Sequence, residues 1–150
     1  MTTGLFHFSL MTTADLPQVM AIERSTASPW SDDQMRSEIE SQHGWQFVCR
    51  RHAEGEIIGF TTGTLVCDEA DIRKLAVSPA HRRQKAATFL LEKLFAFLKE
   101  QGAGRCFLEL RNSNHVAARL YHTAGLQVTG VRKGYYSDPV EDAILMTKTL

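Results

Sequence analysis

Hydrophobic and polar positions divide the chain into eleven elements. Phe6 to Met11 reads as a first strand. Leu16, Val19, Met20 and Ile22 then recur at helical spacing; Thr12 or Thr13 can cap that helix, and Pro17 sits in its first turn. Ser28-Pro29-Trp30-Ser31 breaks the pattern. Ser31 caps a second helix, 32–41, which opens on Asp32 and Asp33 where the helix dipole favours negative charge. Gln46 to Arg51 and Glu56 to Cys67 form a hairpin around Glu54-Gly55, with Gly59 and Gly63 marking a bulge or a close backbone approach. A strand over 71–77, carrying Ile72, Leu75 and Val77, stops at Ser78-Pro79 because proline cannot donate to a ladder. From Ala87 the apolar residues fall at 87, 90, 91, 94, 95 and 98, one helix face that ends at Gly102 and Gly104. A strand at 105–110 follows. Asn112 or Ser113 caps a helix running to about Thr123, which Gly125 ends. The last two strands are 127–132 and 143–148, separated by Gly134 to Pro139.

Strands clustered first and alternating with helices later predict an α+β fold, layered α/β/α, over a single domain spanning 1–150. Its sheet is mixed and mostly antiparallel, with about seven strands and about four flanking helices, and the strands at 70–77 and 105–110 are parallel neighbours. The two short helices after the first strand are expected to cover one end of the sheet.

Composition narrows the class. Hydrophobic residues make up 43% and charged residues 23%, as in a globular protein that buries one core. Acidic and basic residues balance at 17 each, which argues against direct nucleic-acid binding. Cys49, Cys67 and Cys106 show no C-x-x-C spacing and are expected to be reduced core thiols in a cytoplasmic protein. No signal peptide and no membrane association are expected. The six histidines form no ligand set, so no metal is expected.

The candidate chemistry starts at the strand-turn-helix over 71–91. Arg82, Arg83, Gln84 and Lys85 crowd the turn before the helix, whose first N–H groups are unpaired and carry partial positive charge. That suits a phosphate on a small ligand; a solvated basic turn is the plainer alternative.

The chain resembles the GNAT superfamily of acyl-CoA-dependent N-acetyltransferases, and within it the bacterial ribosomal-protein alanine N-acetyltransferases. The resemblance is carried by Ser28-Pro-Trp-Ser31, by Leu75-Ala-Val-Ser-Pro79 with His81-Arg-Arg-Gln84, and by Leu108-Glu-Leu-Arg-Asn-Ser-Asn114 with Ala117-Ala-Arg-Leu-Tyr121 and Gly125-Leu126. Gly130 to Tyr136 and Glu141 to Met146 match the family's closing hairpin. One position departs: Lys85 stands where the pyrophosphate loop usually has its first glycine, adding a charge but also a side chain at a place where the backbone must approach the ligand.

The resemblance implies direct acetyl transfer from acetyl-CoA to the N-terminal α-amine of a protein, by family likeness an alanine-starting ribosomal protein. A GNAT acting on a small-molecule amine and a non-catalytic acyl-CoA-binding domain are the alternatives. It implies that the parallel strands splay to admit the coenzyme. The backbone of Leu75, Ala76 and Val77 would hold the pantetheine arm, with the Val77 N–H towards the oxyanion. Arg83, Gln84, Lys85, Ala86, Ala87 and Thr88 would take the pyrophosphate. Asn114 would bond to the coenzyme or cap its helix. Glu109 is the candidate base, or the partner of Arg111 or Arg105 in a salt bridge. Tyr121, a phenol with an ordinary pKa of ~10, is the candidate acid, or a packed core residue. Trp30, Tyr135 and Tyr136 are candidates to wall an acceptor groove, and Asp138 and Glu141 to meet a cationic acceptor.

Overall fold

The computed structural model describes residues 6–82 and 85–150. Strand β1 (His7–Leu10) leads through a single 3-10 turn into helices α1 (Leu16–Glu23) and α2 (Asp32–Ile39). Strands β2 (Gly44–Arg50), β3 (Ile57–Val66) and β4 (Glu69–Val77) follow, then helix α3 (Ala86–Glu100). Strand β5 (Arg105–Arg111), helix α4 (His115–Thr123) and strands β6 (Gln127–Ser137) and β7 (Val140–Thr149) complete the order. The strands form one seven-stranded sheet, β1-β2-β3-β4-β5-β7-β6. Every pairing is antiparallel except that of β4 with β5.

Local chemistry sets most boundaries. Ser31 and Gln34 cap α2 reciprocally: Ser31 Oγ accepts from the Gln34 N–H at 3.1 Å and Gln34 Oε1 accepts from the Ser31 N–H at 2.7 Å. The helix stops at Ile39, short of the expected Ser41, because Ser41 N–H turns back to the Glu38 carbonyl in a tight bond. The cap of α4 is Asn114, not Asn112 or Ser113; its Oδ1 accepts from the Ala117 N–H at 3.2 Å. The N–H groups of Asn112 and Ser113 are instead taken by the Asp142 carbonyl and the Glu141 carboxylate. Strands β6 and β7 extend well past 127–132 and 143–148, into a tight turn at Asp138-Pro139, which carries a cis bond. Pairing resumes at Tyr136↔Glu141 after an irregular stretch where Gly134 takes φ +61° and the Asp142 carboxylate accepts the Gly134 N–H.

Two apolar layers cover the sheet. On one face α1 and α2 pack Val19, Met20, Ile22 and Met35 against Val48, Ile57, Phe60 and Ala76. On the other, α3 and α4 pack Leu91, Leu94, Leu98 and Tyr121 against Phe47, Ile72, Cys106, Leu108, Leu110 and Met146. The buried stripe of α3 is wider than the spacing implied, since Ala86 and Phe89 are buried as well. Leu90, Leu91, Leu94 and Leu98 are wholly inaccessible, each worth about 1.5–3 kcal/mol of apolar burial. Of the three cysteines only Cys49 and Cys106 are core thiols; Cys67 is exposed in the β3–β4 turn, at φ +56°. Among the described residues no helix is long and apolar enough to cross a membrane.

Two irregularities shape the site. The β4–β5 pairing covers only Glu69↔Arg105, Ala70↔Cys106 and Asp71↔Phe107, after which the strands part. In β4, Thr62 faces Lys74 and Gly63 faces Ile72, which leaves Arg73 as the extra residue of a bulge. Gly63 is required opposite it: a Cβ there would lie 2.0 Å from the Asp71 carbonyl and 2.3 Å from the Trp45 ring.

Candidate active site

Where β4 and β5 separate, a cleft of about 1240 Å³ opens between them. Leu75, Val77, Lys85, Ala86, Ala87, Thr88, Glu109, Asn114 and Tyr121 all line it. Arg83 and Gln84 lie outside the described residues.

Main-chain directions sort the three β4 candidates. The Ser78 N–H bonds to the Ile58 carbonyl, towards β3. Successive peptide groups alternate, so the backbone groups of Val77 and Leu75 point the other way, into the gap. The Val77 carbonyl there accepts from Arg82 Nε at 3.3 Å. Ala76 is out of phase: its backbone faces β3, opposite Phe60, and its methyl is buried against the α1 layer. Ala76 is therefore not among the residues that line the cleft.

At the far end of β4 the N-terminus of α3 meets the cleft. Its N-cap residue is Lys85, in the left-handed conformation (φ 67°, ψ 16°), with no side chain capping the helix. This explains why glycine is usual at that place: a residue with a Cβ pays about 1–2 kcal/mol there. Lys85 keeps the backbone path of a glycine and adds a cation beside the open N–H groups of the first turn.

Glu109 and Tyr121 come from different layers. Along β5 the side chains alternate; Cys106, Leu108 and Leu110 enter the α3–α4 layer with Tyr121, and Glu109 points to the opposite face. Glu109 pairs with neither Arg105 nor Arg111. Arg105 bonds to Glu69 and Arg111 to Glu141, while Arg132 Nε lies 2.9 Å from Glu109 Oε2. The Arg132 N–H is not aimed along that line, so Oε2 is buried beside a cation without a hydrogen bond. Burial pushes the Tyr121 phenol up to about 12, so it stays protonated at neutral pH. Asn114 spends its Oδ1 on the helix cap, leaving its amide nitrogen for a ligand. The capping reading of that residue therefore holds.

Sequence patterns missed the groups that brace the cleft walls. Glu23 is fully buried; its Oε2 accepts from the Trp30 N–H at 2.7 Å and forms an ion pair with Lys74 Nζ, also 2.7 Å away. Lys74 also donates to the Ser28 carbonyl at 3.1 Å, so the α1–α2 segment is tied onto β4. The bulge turns both cations of β4 towards one indole: Lys74 Nζ lies 5.1 Å and the Arg73 guanidinium 6.0 Å from the Trp30 ring. A lysine in an apolar strand was the only signal of this; Glu23 reads in sequence as an ordinary helix end. Trp30 and Tyr136 line the cleft, whereas Tyr135 stands outside it, half exposed. Asp138 does not reach the cleft, and Glu141 is engaged by Ser113 and Arg111, which hold its carboxyl below the usual carboxylate range. Among the described residues no group of three or more His, Cys, Asp or Glu is placed to hold a metal ion.

The acetyltransferase (GNAT) family profile matches residues 16–126. A putative [ribosomal protein bS18]-alanine N-acetyltransferase of Bacillus subtilis is 36% identical over 138 residues, covering 91% of this chain and 90% of its own. The [ribosomal protein bS18]-alanine N-acetyltransferase of Escherichia coli K12 is 35% identical over 141 residues, covering 92% and 93%. The crystal structure of the ribosomal-protein-S18-alanine N-acetyltransferase from Escherichia coli superposes with a TM-score of 0.87 at 33% identity, over 96% of this chain and 93% of that one. Sheet order, the parting of the one parallel pair and these likenesses agree: the chain belongs to the acetyltransferase (GNAT) family.

Proposed function

We propose that the protein transfers an acetyl group from acetyl-CoA to the N-terminal α-amine of a protein, with an alanine-starting ribosomal protein of the bS18 type as acceptor. The observation that carries this is the cleft between β4 and β5, which Glu109 and Tyr121 enter from opposite faces. The likeness to the two bS18-alanine N-acetyltransferases supports the choice of acceptor.

The pantetheine arm lies along the gap-facing backbone of Leu75 and Val77, as an added strand would. The pyrophosphate meets the first turn of α3, where Ala86, Ala87 and Thr88 present N–H groups and Lys85 supplies a cation. The amine nitrogen attacks the thioester carbon as its proton passes to Glu109, directly or through a water. The Val77 N–H, directed into the gap, donates to the oxygen on which charge builds. As the C–S bond breaks, Tyr121 donates its hydroxyl hydrogen to the departing sulfur. The phenol regains a proton from the one held by Glu109, through water. A bacterial cytoplasmic setting goes with this acceptor.

A panel of N-terminal peptides and free amines, incubated with acetyl-CoA and read by mass, tests the proposal. Acetylation confined to alanine-starting peptides is the expected result. Acetylation of free amines alone would replace the acceptor class with small molecules, and no product with any acceptor would leave an acyl-CoA-binding domain.

A further inference from the structure

We propose that Arg111 is a positioning residue that fixes the acceptor wall of the cleft relative to the base, an inference that rests on the acyl-transfer reading above. Arg111 and Glu109 lie two residues apart on β5, so they project from the same face of one strand. The Arg111 guanidinium reaches across to the tip of the β6–β7 hairpin. Nη1 donates to the Pro139 carbonyl at 3.0 Å and to Glu141 Oε1 at 3.2 Å, and Nη2 donates to the Asp138 carbonyl at 3.2 Å. Its Cζ also lies 4.4 Å from the centre of the Tyr136 ring. Glu141 in turn accepts from the Ser113 N–H, which ties the hairpin to the turn before α4.

The strand ladder pairs Tyr136 with Glu141 but is interrupted just before it. Register is irregular between Arg132 and Tyr136, and nearly every residue of β6 is exposed. Tyr136 nevertheless lines the cleft beside Glu109. Its ring lies against the Arg111 guanidinium, whose fork donates to two carbonyls and a carboxylate, and against the Tyr135 ring, 5.1 Å between centroids. Beside the β5–β7 ladder, this side chain thereby ties the strand that carries the base to the tip of the wall an acceptor must pass. Lysine cannot substitute, because it lacks both the fork and the flat face.

The test compares wild type, Arg111→Lys, Tyr136→Ala and the double variant. Turnover is measured with an alanine-starting peptide, and acetyl-CoA affinity by calorimetry. Arg111→Lys is expected to raise the peptide KM on the order of tenfold, with kcat changed less and acetyl-CoA Kd unmoved. Tyr136→Ala should do the same, and the double variant should be no worse than Tyr136→Ala, because both act through one wall. An unchanged peptide KM in Arg111→Lys, fully additive effects, or an acetyl-CoA Kd rising in step with KM would each overturn the proposal. If Arg111→Lys does not fold, Glu141→Gln, which weakens one guanidinium contact and keeps the stack, should still raise peptide KM; if it does not, the proposal fails. Absence of turnover in the wild type would instead count against the acyl-transfer reading itself.

Discussion

Glu109 and Tyr121 belong to opposite layers of the protein, yet both line one cleft, because β4 and β5 stop pairing just before β5 reaches Glu109. An intact sheet would keep a carboxylate on one face from a phenol on the other. The gap removes that barrier, so a ligand in it has a carboxylate on one side and a phenol on the other.

Replacing either group should lower kcat. Loss of a general base or acid typically costs 10²–10⁴-fold. Glu109→Gln should be most impaired below the α-amine pKa of ~7.7–8.0, where the acceptor arrives protonated. A pH–rate profile identical to wild type would remove Glu109 as the base. Tyr121→Phe should lower kcat with acetyl-CoA affinity nearly unchanged, and an undiminished kcat would remove Tyr121 from the reaction.

Lys85→Gly separates strain from charge. Relief of the left-handed conformation should stabilise the fold by about 1 kcal/mol, a rise of roughly 2–4 °C in Tm. Acetyl-CoA affinity should fall a few-fold, more at low ionic strength, because one cation leaves the pyrophosphate end. A gain in affinity would show that the side chain obstructs the ligand instead.

The Lys74–Glu23 pair should be costly to break on one side. Glu23 is wholly buried, and Lys74 Nζ is its cationic partner at 2.7 Å. Lys74→Met should destabilise by about 3–5 kcal/mol in urea unfolding, since it strands a buried charge. Glu23→Gln in the same background should recover part of the loss. An effect below about 1 kcal/mol would mean that the pair is solvated.

Stability should fall in alkali. Burial pushes Cys49 and Tyr121 up to about 12 and Cys106 up to about 11, with Lys148 opposing only the last. In the unfolded chain thiols release protons near pH ~8.5 and phenols near ~10. Between those values and the folded ones the unfolded state holds fewer protons, so stability is full below pH ~8.5 and declines as pH rises towards 11–12. Urea midpoints measured from pH 8 to 10.5 should show the decline. Tyr121→Phe should flatten the part above pH ~10. A midpoint independent of pH would contradict the burial of these groups.

Element order and the parallel pair were legible because strands and helices here carry strong periodicity and capping residues; Ser31 with Gln34 is a local signal that the structure keeps. The ends of β6 and β7 were not legible. Gly134 and Pro139 read as loop; pairing breaks around Gly134, whose N–H the Asp142 carboxylate accepts, and resumes at Tyr136↔Glu141 before the turn at Asp138-Pro139. Leu75, Val77, Lys85 and Thr88 line the cleft, but Ala76 does not, since strand alternation turns every second residue away. Glu23 and Lys74 pair across 51 residues and Arg111 with partners 27 to 30 residues on, and no window of sequence reports such pairs.

The most direct measurement is a crystal structure with CoA and an alanine-starting peptide bound together. The sulfur should lie in the gap between Leu75–Val77 and Leu108–Arg111, the pyrophosphate on the first turn of α3, and the peptide amine between Glu109 and the hairpin wall. A coenzyme bound elsewhere, or a gap closed by the protein's own side chains with the ligands outside it, would contradict the account.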